Sequence, residues 1–332
     1  MNRTPPPQLN NAERRERPSS FDPWRFLQKV LLYLRTHRGI LLVFLAYLLL
    51  LLTRTVDTTG VREDGYLVLS VLQILAFLIP TLLYLKIEGW PCISRLRLSP
   101  PQLPALALVP IAIPLIVSGG LLVGIVFGRM SAFAGSFTLY DTFVSQNNRN
   151  TAEVFHLILT YAVLPALCEE LIFRGVVCQE YEKHGLPSAI ILSSLLFAML
   201  HFNFPKLPTF FYAGLILAMV LYATRSLFCS MLVHFAYNLF GLFGQEYMYN
   251  LYKEAGDEDI FTYLIILIFL ISAAAFSLVA AGIYRKYARQ QLSNEYRARL
   301  PFGKTMVLLG RDLLSPLSLL CLLVYILVIT LQ

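Results

Sequence analysis

Charge is scarce in this chain. Only 14% of its 332 residues are Asp, Glu, Lys or Arg, while 57% are hydrophobic, a balance that excludes an ordinary soluble globular domain. Cysteine is scarce too. Cys92, Cys168, Cys178, Cys229 and Cys321 form no CxxC pair and no zinc-ribbon spacing, and most lie inside apolar runs. That argues against a disulfide framework and for small buried residues. A GxSxG elbow, an HExxH helix and a repeat of 20–50 residues are also missing, which removes the common serine-hydrolase and zinc-protease signatures and gives no support to a transporter built from sequence duplications. The first forty residues lack the apolar core and small-residue cleavage site of a signal peptide. The net charge of +7 comes without a groove-reading or aromatic RNA-binding signature, so no nucleic acid partner is expected.

What is abundant is apolar sequence in long runs. Runs of about 18 or more residues give nine candidate spans, roughly 27–53, 65–87, 104–128, 152–178, 187–204, 207–224, 227–244, 260–284 and 305–331. The fold class they imply is all-α, a polytopic membrane helix bundle of about nine transmembrane helices. Basic residues collect in alternate connections: Arg14, Arg15, Arg17, Arg25, Lys29, Arg35 and Arg38 before the first span, Lys86, Arg95 and Arg97 after the second, and YRKYARQQLSNEYRARLPFGK before the last. This alternation places the N-terminus inside. The expected organisation is a disordered basic cytoplasmic tail (1–26), three N-terminal helices (27–128), a core of four helices (150–245) and two C-terminal helices (260–332).

Ionisable residues at membrane depth are the exception, and by default they mark function. They occur in the fourth, fifth and seventh spans, with Arg311 and Asp312 a weaker case in the ninth. In CEELIFRG, Glu170 and Arg174 stand at i and i+4 and can pair. Glu169 points about 100° away from Glu170 and has no partner on its own helix. Pro165, four residues before Glu169, is expected to kink the helix and free the Tyr161 carbonyl. The fifth span supplies Phe197 and His201 in FAMLH, and the seventh supplies His234 and Asn238 in HFAYN, each pair sharing a helical face. Structural ion pairing and helix–helix hydrogen bonding are the alternative uses of such residues. With a turn near Gly185 and Pro187, Glu169 and His201 lie at equal distance from it, about 24 Å if helical. The second hairpin turns near Arg225 and Ser226 and brings His234 and Asn238 to a similar depth near the cytoplasmic face.

A carboxylate, two imidazoles and a carboxamide in a recessed site can activate water and hold an oxyanion. Glu169 with His201 would take the proton from water, and His234 with Asn238 would donate to the developing negative charge. Zinc is the competing reading, with Glu169, His201 and His234 as ligands drawn from three helices.

EELIFR, FAMLH and HFAYN, in that order on successive spans, resemble the EExxxR, FxxxH and HxxxN or HxxxB motifs of the CAAX protease and bacteriocin-processing (CPBP, or Abi) family. The resemblance covers about residues 150 to 245. It implies an intramembrane glutamic endopeptidase, a multi-pass protein expected in a bacterial cell membrane. Glu169 and His201 would be its water-activating pair, His234 and Asn238 its oxyanion group, and Glu170 and Arg174 its supporting residues, beside Phe197. The implied partners are a peptide or lipidated protein substrate and membrane lipids. Family members have also been described as metalloproteases, which keeps zinc open as a cofactor. Two other classes remain. A non-catalytic bacteriocin self-immunity or scaffold protein would keep the polar cluster for helix packing. A transporter would need a polar stripe through both leaflets, and the sequence has none.

Overall fold

The computed structural model describes residues 22–55, 65–89, 96–98, 100–134, 151–289 and 300–331, and every regular element among them is a helix. Two units are distinguished, residues 1–38 and residues 39–332. In the first, helix α1 (Pro23–Thr36) starts at Asp22, whose carboxylate accepts from the Trp24 and Arg25 amides, and ends at His37. The expected first span over 27–53 is therefore two helices, α1 and α2 (Arg38–Thr55), and the expected tail ends inside α1. The rest of that tail, 1–21, lies outside the described residues.

The second unit continues with α3 (65–88), α4 (Leu108–Ala134), α5 (151–184), α6 (Leu186–Leu200), α7 (Leu207–Thr224), α8 (227–244), α9 (Gln245–Ala255), α10 (Glu258–Arg289), α11 (Phe302–Leu313) and α12 (Pro316–Thr330). Among the described residues, six helices are long and apolar enough to cross a membrane, or up to eight if each of two interrupted pairs counts as one span. The nine expected spans include two such pairs, and one, over 187–204, that is the 15-residue helix α6. At about 22 Å, α6 is shorter than a hydrocarbon core. The chain is an all-α, multi-pass integral membrane protein.

Two helices widen into π turns ahead of a proline. In α3 the turn is Ile74–Leu78 before Pro80, and in α5 it is Leu159–Val163 before Pro165. The Leu164 amide bonds Leu159 O, so Pro165 falls opposite Thr160, to which it can offer no N–H. Gln73 on α3 fills that place, its Nε2 donating to Thr160 O at 3.0 Å, while the Ser70 and Thr160 hydroxyls bond at 2.9 Å. The carbonyl that Pro165 leaves free is thus that of Thr160, not the expected Tyr161. The wider π register moves the orphan one residue back, and the neighbouring helix satisfies it.

Small residues set the close approaches. A Cβ on Gly214 of α7 would lie 2.9 Å from both Cα and Cβ of Ser194 on α6, and one on Gly119 of α4 would overlap the Tyr212 hydroxyl. That hydroxyl donates to Leu115 O at 2.8 Å. Glycine at these positions lets α6, α7 and α4 pack backbone to side chain, as membrane bundles do.

Candidate active site

The sequence places Glu169 and Glu170 at the end of an α-helical stretch of α5, Leu164–Glu170, just before a second π segment, Leu171–Val177, that carries Arg174. Burial is nearly complete: Glu170 is 0% and Arg174 1% exposed. The expected i, i+4 pair is present, with Arg174 Nη1 to Glu170 Oε1 at 2.8 Å. A buried guanidinium needs more than one acceptor, and Nη2 finds the Gly214 carbonyl at 3.1 Å. Its plane also sits over the Phe197 ring, 4.3 Å from the centroid, a cation–π contact. Arg174 Nε has no hydrogen-bond partner among the described residues.

Glu170 is bonded on both oxygens. Oε1 also receives His234 Nδ1 at 2.9 Å, and Oε2 receives the Ser230 hydroxyl at 2.5 Å. Ser230 lies 3.0 Å from Leu217 O as well, so its single O–H is shared between two acceptors. Glu170 thereby ties α5, through itself and Arg174, to α7 and α8.

Glu169 differs. Its Oε2 is buried without a hydrogen bond among the described residues, and it lies 4.0 Å from His234 Nε2. Because His234 gives its Nδ1 hydrogen to Glu170, Nε2 is the nitrogen turned toward Glu169. Among the described residues, Glu169 forms no ion pair with His201.

His201 closes α6 as its C-cap. Its Nδ1 lies 3.0 Å from Phe197 O, an acceptor, so this nitrogen carries the hydrogen and Nε2 remains open. The ring stacks on Phe210 with centroids 3.8 Å apart and planes at 15°. Phe197 is the hub of the cluster, edge-on to His201 at 5.0 Å, to His234 at 5.6 Å and to Phe173 at 5.6 Å. Asn238 follows His234 by one turn of α8, half-buried, and its carboxamide forms no hydrogen bond among the described residues.

The residue after His201 is unusual. Phe202 has φ +45°, a left-handed conformation that glycine ordinarily supplies at a helix end, and it is 4% exposed. Its ring lies edge-on to Tyr47 of α2 at 5.5 Å and stacks with Tyr325 of α12 at 6.2 Å. The Tyr47 hydroxyl also donates to Leu196 O. Helices far from the motifs in sequence thus grip the backbone that presents His201. The same α11–α12 pair docks at the other end of α6. There the buried Asp312 carboxylate receives His184 Nδ1 at 2.5 Å, and Arg311 Nη2 lies 3.3 Å from His184 Nε2.

Among the described residues, no group of three or more His, Cys, Asp or Glu side chains is arranged to hold a metal ion. The Glu169, His201 and His234 set offered as zinc ligands does not assemble into one. Three contributors escaped the sequence reading: Ser230, Gly214 and Phe210. Ser230, His234 and Asn238 stand at i, i+4 and i+8, a stripe that spacing alone could have revealed. Gly214 inside an apolar helix signals a close approach; Phe210 carries no local signal.

Residues 151–240 match the family model described as Rce1-like, type II CAAX prenyl endopeptidase. Over these residues the chain is similar to type II CAAX prenyl endopeptidases, and the match spans the same helices that carry the three motifs. No curated protein and no solved structure matches the chain.

Proposed function

We propose that the protein is an intramembrane endopeptidase that hydrolyses a peptide bond of a membrane-associated peptide or lipidated protein, using water activated by Glu169. The observation that carries this reading is the contrast between the two adjacent glutamates. Glu170 is saturated by Arg174, His234 and Ser230, while Glu169 keeps a buried, unbonded oxygen facing His234 Nε2. A saturated carboxylate is a brace. An unsaturated one beside an imidazole can accept a proton from water.

Charge counting supports a division of roles. With both carboxylates ionised and Arg174 cationic, the cluster carries one uncompensated negative charge, which a single proton shared between Glu169 and His234 removes. With that proton on His234 Nε2, Glu169 is the base and His234 is a cationic donor. Water loses a proton to Glu169 as its oxygen attacks the scissile carbonyl carbon. The resulting oxyanion takes hydrogen bonds from His234 Nε2–H and the Asn238 carboxamide. Collapse breaks the C–N bond, and the proton held by Glu169 passes to the departing amine. His201, with Nε2 open, accepts a hydrogen bond from the attacking water and orients it. A prenylated substrate accords with the family match.

The test is turnover of a membrane-anchored peptide library by purified protein in proteoliposomes. Glu169→Gln should cost about a hundredfold or more in rate, the scale of lost general-base catalysis, with unchanged thermal unfolding. Full activity in that variant would remove Glu169 from the mechanism. No cleavage by the wild type, with membrane function intact in both, would favour the scaffold reading.

A further inference from the structure

We infer that α1 is a surface-lying helix that docks on anionic phospholipid, independently of the proposed chemistry. Wound at 100° per residue, α1 collects Trp24, Leu27, Val30, Leu31 and Leu34 with two aromatic rings, Phe26 and Tyr33, on one half of its circumference. Arg25, Lys29 and Arg35 occupy the other half with Gln28 and Thr36; Leu32 is an apolar residue on this basic side. No acid lies within the helix, and the Asp22 carboxylate that caps it also pairs with Arg25 at 3.4 Å.

No residue of α1 is buried: Trp24 is 75%, Leu31 56% and Leu27 45% exposed. An apolar half-cylinder with Trp24, Phe26, Leu27 and Leu31 exposed and Val30, Tyr33 and Leu34 half-buried, beside a polar face whose charges are all positive, fits the boundary between acyl chains and phosphates. Trp24 lies at the margin of the two faces, where an indole is at home at the headgroup level. The chain stops being helical at His37, and α2 supplies 18 residues from Arg38 onward, about 27 Å. Residues 27–36 are therefore not needed to reach across the bilayer. Upstream, the sequence adds Arg3, Arg14, Arg15 and Arg17 against Glu13 and Glu16, which strengthens the attraction to a negative leaflet.

The test uses the full chain with Trp90→Phe, which leaves Trp24 as the sole indole, reconstituted in nanodiscs. The discs contain phosphatidylcholine with increasing phosphatidylglycerol, with or without brominated acyl chains. Brominated chains should quench Trp24 and acrylamide should lose access to it as the anionic fraction rises, and salt should reverse both. Arg25→Gln, Lys29→Gln and Arg35→Gln should each weaken docking about fivefold, raising the anionic fraction at half protection while thermal unfolding stays constant. Equal protection in pure phosphatidylcholine would overturn the inference. So would acrylamide access at every composition, or protection without bromine quenching that depends on two copies sharing a disc.

Discussion

Glu169 and Glu170 are covalent neighbours with opposite surroundings, and their substitutions should separate accordingly. Glu170→Gln leaves Arg174 without its carboxylate in an interior where the pair is wholly buried, and breaking such a pair costs about 3–5 kcal/mol. The variant should melt well below wild type in detergent, whereas Glu169→Gln should melt with it. The pairing of Glu170 with Arg174 was legible because four residues on a helix is one turn. That Glu170 also holds His234 was not. The two are 64 residues apart, and no local spacing says that α8 turns this face toward α5.

Glycine and proline act on whole helices. Gly214→Ala would drive a methyl into Ser194 and shift the carbonyl that Arg174 bonds. The expected cost is about 1–3 kcal/mol, read as a lowered unfolding midpoint together with lost turnover. Gly282→Ala meets nothing within 4 Å and should stay within about 0.5 kcal/mol of wild type. Pro165→Ala restores an amide opposite Thr160, so Gln73 is no longer needed there. Gln73→Leu should then cost less in the Pro165→Ala background than alone, a difference a double-mutant cycle measures. The helices themselves were readable from apolar runs, and the polar motifs fell on them as expected. The π turns were not readable, because a proline announces a missing hydrogen bond without saying in which register the helix absorbs it.

Across the molecule, the motif-bearing helices depend on partners at both ends of the second unit. Phe202 holds a conformation that costs roughly 1–3 kcal/mol, and the aromatic rings of α2 and α12 pack around it. Tyr325→Ala should cost roughly 3 kcal/mol and lower turnover by loosening His201. Thermal unfolding and turnover measured together at a temperature where the variant remains folded would separate the two effects.

That grip bears on how small such an enzyme can be made. The segment 151–244 carries every residue of the candidate site, yet it omits Tyr47 and Tyr325. Cut out as a miniature protein, it would retain the left-handed Phe202 without the Tyr47 and Tyr325 rings that pack on it. The fragment should insert into membranes and fail to cleave, and resupplying α2 and the α11–α12 pair as separate chains should restore turnover in part.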